Sequence, residues 1–163
     1  MEGELDAVAL VERYGDHLLR LCTLYLGDRM GAEDAVQETY LRALRAWPSF
    51  RGACSEETWL IRIAINICKN TLRSPWRKKR APEEELNGLA AEGPELRDDT
   101  VARAVMELPP KYRAVVILYY YEELDSGEIA KMLGLSVSAV TMRLSRARQK
   151  LKGRLEGWYY DKT

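Results

Sequence analysis

The chain has 163 residues, 47% of them apolar, with 25 basic and 25 acidic residues and no formal net charge, enough for one modest core or two small ones and too balanced for a general polyanion binder. No apolar run approaches the ~20 residues that span a bilayer, and the acidic start MEGELD is unlike a signal peptide, so a cytoplasmic location is expected. Cys22, Cys54 and Cys68 have neither CxxC nor His-paired spacing, which argues against a disulfide framework or a metal site and for reduced, small apolar residues.

Apolar spacing is helical almost everywhere, with no alternating β-branched run bounded by turn residues, so the fold is expected to be all-α. One helix is expected around Leu5 to Tyr14 and another around His17 to Leu26, ending at Gly27 in a C′ role. Asp28 then caps a long helix that runs to about Trp47, where Pro48 stops it. Its expected buried stripe is Val36, Tyr40, Ala43, Leu44 and Trp47. Asp34, Gln37, Glu38 and Leu41 share another face, where an exposed leucine beside acids and an amide suits a protein partner. For this helix taken in isolation, a merely solvated face is the simpler explanation of those four.

FRGACSEE is expected as a loop, followed from Thr58 by a helix with Trp59, Ile63 and Ile67 on its apolar face and an end near Ser74-Pro75. Opposite them Arg62, Asn66, Lys69 and Arg73 follow helical spacing, with Asn70 beside them. Asn pairs with adenine edges and cations hold phosphates, although a solvated face accounts for the same residues. The adjoining WRKKR block favours nucleic acid, and the loop ahead of the helix could wall in an unstacked base.

Residues 74–100 carry three of the six prolines, a basic block and then an acidic one, without sustained periodicity, and read as a flexible linker. The expected organisation is therefore two small helical domains, 1–73 and 101–163, joined by 74–100. The neutral total hides a partition: residues 101–163 hold 11 basic and 7 acidic residues, and Ile129 to Leu155 holds seven basic residues and no acid. Within the second domain a short helix (Val101 to Leu108), the break Pro109-Pro110, a helix to about Glu123 and two helices joined at Gly134-Leu135 are expected. Tyr119 to Tyr121 are expected to pack this domain.

Counting from Ser126, Ala130 falls fifth, Gly134 ninth and Val140 fifteenth. That is helix-turn-helix spacing: a small residue where the helices cross, a glycine for the turn and a branched apolar residue from the second helix. Ile129, Leu133, Leu135 and Val137 are expected to complete the core, with Asp125 and Glu128 as a capping box. At 100° per residue Val140, Leu144, Ala147, Leu151 and Leu155 occupy about an 80° arc. Ser138, Met142, Ser145 and Arg146 lie on the far side, facing base edges if the helix enters a major groove. Arg143 and Lys150 flank one side and Arg148 and Lys152 the other, placed for phosphates.

Three blocks together resemble the bacterial RNA polymerase sigma factors of the extracytoplasmic-function group: AEDAVQETYLRAL (32–44), TWLIRIAINICKNTLR (58–73) and LPPKYRAVVILYYYEELDSGEIAKMLGLSVSAVTMRLSRARQKL (108–151). The resemblance implies a dissociable promoter-specificity subunit, with a region 2 domain and a region 4 domain. Asp34, Gln37, Glu38 and Leu41 would dock on the clamp coiled coil of the polymerase's largest subunit. Arg62, Asn66, Lys69, Asn70 and Arg73 would capture the separated nontemplate strand of the minus-ten element. The helix-turn-helix would read the minus-thirty-five element, through Ser138, Thr141, Met142, Arg143, Ser145, Arg146, Arg148 and Lys150. The implied partners are core polymerase, including its flap, promoter DNA and a membrane-associated anti-sigma factor, with no small-molecule substrate and no cofactor. Two departures stand out: Thr141-Met142 where many relatives carry a basic residue and then Ser, and Glu56 or Glu57 where some carry an aromatic residue before the nucleic-acid stripe. A free-standing helix-turn-helix regulator is the alternative, but it leaves residues 32–73 without a role. An enzyme is disfavoured because no phosphate loop, HExxH or nucleophile and base pair is present.

Overall fold

A computed structural model describes residues 7–73 and 99–162, with side chains described over 8–73 and 100–154. The chain divides into two compact units, 1–80 and 81–163, and every described element is helical. The expected linker up to residue 98 lies outside the described residues. No helix among the described residues is long and apolar enough to cross a membrane.

In the first unit α1 (Ala7–Leu26), α2 (Arg29–Ala46) and α3 (Glu56–Arg73) pack around Leu18, Leu21, Cys22, Leu60, Ile65 and Cys68. Where two helices were expected before Gly27, a single one forms. Gly15 does not break it, because it keeps helical φ and faces α2, where a Cβ would lie 3.6 Å from Tyr40 Oη. The Tyr40 hydroxyl donates to the Leu10 carbonyl at 3.4 Å, tying the two helices. The chain turns at Gly27, whose φ of 70° is the left-handed value expected of it. Asp28 holds the N-cap position of α2 with extended backbone, but its side chain makes no capping hydrogen bond.

The buried lines of α2 and α3 differ from expectation. On α2 the buried residues are Gly31, Ala32, Ala35, Thr39 and Ala43, whereas Val36, Tyr40 and Trp47 are half-buried and Leu44 is 40% exposed. On α3 Leu60, Ile61, Ala64, Ile65, Ile67 and Cys68 are buried, and Trp59 and Ile63 only partly. On α2 the small side chains let helix axes approach closely, so they take the centre of the contact and its bulky residues the margins. A single 3-10 turn, Trp47–Ser49, closes α2 at Pro48. Glu56 and Glu57, expected in the loop, instead form the first turn of α3, where negative charge suits the helix dipole. Ser55 precedes them, its Oγ accepting from the Thr58 amide at 3.0 Å.

The second unit contains α4 (Asp99–Met106), α5 (Pro110–Val116), a π-helical turn (Ile117–Tyr121), α6 (Ser126–Leu133) and α7 (Val137–Lys162). Val105, Leu108, Val115, Ile117, Leu118, Ile129 and Val140 form its core. Buried Arg113 donates from Nη2 to the Leu108 carbonyl at 2.8 Å, satisfying an acceptor beside Pro109 and Pro110, neither of which has a backbone N–H. The helix expected to reach Glu123 widens into the π turn, where the Glu122 amide donates to Ile117 O at 3.1 Å. Tyr119 is half-buried there, while Tyr120 and Tyr121 are exposed.

Candidate nucleic-acid interface

The helix-turn-helix spacing takes the expected form. Asp125 Oδ1 accepts from the Glu128 amide at 2.8 Å and Glu128 Oε1 from the Asp125 amide at 3.0 Å, a complete capping box on α6. Gly134 ends α6 in the left-handed region, φ 69° and ψ 37°, and the Leu135 amide donates to Ala130 O at 2.9 Å. Ala130 and Val140 are buried together with Ile129 and Leu133. Leu135 is half-buried, and Val137, expected in the core, is 52% exposed at the first turn of α7, before that helix meets its neighbours.

Along α7, Val140, Leu144 and Ala147 are buried and Leu151 is half-buried, while the Leu155 side chain lies outside the described residues. Ser138, Thr141, Met142, Ser145 and Arg146 are exposed and, with Val137 and Gln149, line one shallow recess. Gln149 was missing from the expected set, although the same 100° arithmetic places it between Ser138 and Met142. Its amide can pair with an adenine edge. Arg148, Lys150 and Lys152 are exposed and Arg143 is half-buried.

The flanking cations of α7 meet tyrosines. Arg148 Nε donates to Tyr120 Oη at 2.6 Å, and its guanidinium lies 5.6 and 5.7 Å from the ring centres of Tyr119 and Tyr120. The Tyr120 hydrogen bond raises the Arg148 pKa above its ordinary value. On the other flank Lys150 Nζ lies 5.9 Å and Lys111 Nζ 5.2 Å from the ring centre of Tyr112. A hydrogen bond with Arg146 lowers the Tyr112 pKa against the opposing effect of burial, and the charges of Lys111, Arg146 and Lys150 add to the lowering. Farther along α7, Arg154 pairs with Glu107 of the helix-connecting turn.

In the first unit Arg62, Asn66, Asn70 and Arg73 are exposed along one face of α3 and Lys69 is half-buried beside them. The structure therefore brings the five together as a polar stripe. At the start of α3, Trp59 stacks on Phe50 with ring centres 4.7 Å apart, and Trp47 lies 5.8 Å from Trp59, which anchors the loop ahead of the stripe. Glu56 accepts from the Tyr14 hydroxyl at 3.1 Å and lies 3.6 Å from Arg13, and Glu57 lies 3.8 Å from His17. Both acids are thus held by α1. Cys54, in the same loop, is exposed rather than packed, whereas Cys22 and Cys68 are buried, and all three are free.

On α2 Asp34, Gln37 and Leu41 are exposed, Leu41 by 48%, and Glu38 is half-buried and bonded to Arg42 Nε at 3.0 Å. Exposed Leu44 lies one turn beyond Leu41 and widens the apolar part of this surface.

Comparison with known proteins follows the same division. Residues 10–78 match the family "Sigma-70 region 2" and residues 98–151 match "Sigma-70, region 4". The chain is 31% identical to the ECF RNA polymerase sigma factor SigW of Bacillus subtilis, over 94% of this chain and 91% of that protein. It is 33% identical to the RNA polymerase sigma-H factor of Pseudomonas aeruginosa, over 90% and 84% of the two chains. Among solved structures, CnrH in complex with the cytosolic domain of CnrY is similar at a TM-score of 0.67 and 28% identity, covering 93% of this chain and 88% of that one. RpoE from Bartonella quintana, solved with the anti-sigma factor NepR, shares the fold at a TM-score of 0.69 and 21% identity, covering 91% and 96%. With both regions matched in order and near full-length similarity to curated members, the chain belongs to the extracytoplasmic-function group of RNA polymerase sigma factors and serves transcription initiation.

Proposed function

We propose that the two units divide promoter recognition between them. The first, over about residues 1–73, docks on core polymerase through Asp34, Gln37, Glu38 and Leu41 and holds the separated minus-ten strand along Arg62, Asn66, Lys69, Asn70 and Arg73. The second, over about 101–163, reads the minus-thirty-five duplex. There Ser138, Thr141, Met142, Ser145 and Arg146 face the bases, and Arg143, Arg148 and Lys150 face the phosphates. Residues 74–100 tether the two. One observation carries this reading most directly: α7 buries Val140, Leu144 and Ala147 on one side and exposes short polar residues between flanking cations on the other.

A helix-turn-helix with few phosphate contacts binds DNA weakly and loses affinity as salt rises. Two such weak grips on one polymerase gain effective concentration and become selective as a pair. The chain acts by binding and positioning, without bond-making chemistry of its own, and works in the cytoplasm, where polymerase and promoters are. An anti-sigma factor that covers the exposed faces of the units is the regulatory partner, by analogy with the RpoE–NepR complex.

The test is run-off transcription by core polymerase on a genomic promoter library, with and without the chain. New start sites are expected, lost on Arg146→Ala through upstream recognition and on Glu38→Lys through docking. An unchanged set of start sites refutes the proposal.

A further inference from the structure

We propose that Tyr120 and Tyr112 are positioning residues that hold the cations of α7 in place for phosphates without cancelling their charge; this rests on the DNA-reading role of the second unit. The geometry on the Tyr120 side is specific. Tyr120 Oη takes the Arg148 Nε–H at 2.6 Å, and the Tyr119 and Tyr120 rings lie beside the same guanidinium. An arginine has five N–H donors, so one bond at Nε leaves the two terminal nitrogens, the edge that grips a phosphate in bidentate fashion. A neutral phenol is the fitting partner for this work. A carboxylate in its place would hold the side chain equally well but would bring a negative charge to the surface that must meet DNA.

Tyr112 serves the opposite flank. It is 7% exposed, fixed within α5, and Lys150 lies over its ring. Because α5 packs against α7 and Tyr120 of the π turn reaches Arg148, tyrosines stand on both flanks of the reading helix. A long basic side chain loses considerable rotamer freedom when it grips a phosphate. One that is already held in the free protein loses less, and binding is tighter for the same contacts.

The experiment uses the full chain assembled with core polymerase, on the promoter fragment that gives the strongest run-off transcript with the unmodified chain, and measures affinity across a salt series. Tyr120→Phe, which keeps the ring and removes the acceptor, is expected to weaken binding roughly three- to tenfold at every salt concentration, with the slope of log affinity against log salt preserved. Arg148→Ala is expected to reduce that slope by about one phosphate contact. In an Arg148→Ala background Tyr120→Phe should then have no further effect, as two residues acting as one unit require. Should Tyr120→Phe destabilise the fold, Arg148→Lys, which keeps the charge and loses the Nε donor, reproduces the expected loss. Unmodified affinity in Tyr120→Phe, or an equal loss with and without Arg148, overturns the proposal. If the unmodified chain forms no promoter complex with polymerase, the functional reading falls as well, so the two failures are distinguishable.

Discussion

The two units differ in what holds several of their arginines and lysines, although Arg13 also lies 5.9 Å from the Tyr14 ring centre. In the first, Arg13 lies 3.6 Å from Glu56, Arg29 3.1 Å from Glu33 and Arg42 3.0 Å from Glu38, so positive side chains are held by negative ones and their fields largely cancel. In the second, Arg148 and Lys150 on α7 meet tyrosines, and Glu107 pairs with Arg154 farther along the helix. A carboxylate restrains and neutralises, whereas a phenol restrains and leaves the charge intact. Where a helix must be both ordered and electropositive, the phenol is the better anchor.

Converting one means into the other gives the largest expected effect. Tyr120→Glu keeps a partner for Arg148 but adds an acid to the phosphate-facing flank, and should weaken promoter binding by polymerase with this chain by about tenfold or more at physiological salt. A thermal melt close to that of the unmodified chain would show that the loss is electrostatic. A retained affinity would show that the neutrality of the anchor is immaterial.

A smaller effect is expected in the first unit from Glu56→Gln, which weakens the tie to Arg13 and Tyr14. Because Arg13 is mostly exposed, the cost should stay at or below about 1 kcal/mol, a few degrees in Tm for a unit of this size, with the salt slope of promoter binding unchanged. A changed salt slope would show that this acid acts on DNA as well as on α1.

The smallest effect is spectroscopic. Burial raises the pKa of Tyr14 and Tyr40 above about 10, whereas the cations around Tyr112 lower its value. An alkaline titration followed by phenolate absorbance should therefore show Tyr112, identified by its loss in Tyr112→Phe, ionising before Tyr14 and Tyr40. The linkage has opposite signs. The contribution of Tyr14 and Tyr40 is complete below about pH 10 and is lost as pH rises through their folded values. That of Tyr112 is present above about pH 10 and is lost as pH falls through its folded value. Identical titration of the three would contradict the contrast between the units.

Much of the second unit was legible in the sequence because its signals are local. Asp125 and Glu128 are three residues apart, and Ala130, Gly134 and Val140 sit at spacings set by backbone geometry alone. The buried lines of α2 and α3 were harder to read. Apolar bulk points to Val36, Tyr40 and Leu44, but close helix approach favours Ala32, Ala35 and Thr39 at the centre beside the expected Ala43, and hydrophobicity by itself carries no record of how near two helix axes will come. The expected division of the first helix near Tyr14 to His17 does not occur, because Gly15 keeps helical φ and accommodates the Tyr40 hydroxyl of α2. The tyrosine anchors left no sequence signal at all. Tyr120 and Arg148 are 28 residues apart, and only the folded second unit makes their side chains neighbours.

Gly134 limits what this chain can become. A Cβ there would meet nothing within 4 Å, so crowding does not fix the residue; its φ of 69° does. Drift at this position is confined to residues that tolerate such a torsion, with asparagine the nearest substitute, while the neighbouring exposed positions of α7 stay open to change. The joint is therefore frozen while the reading surface beside it can diversify, and that lets one scaffold acquire new target sequences without being rebuilt.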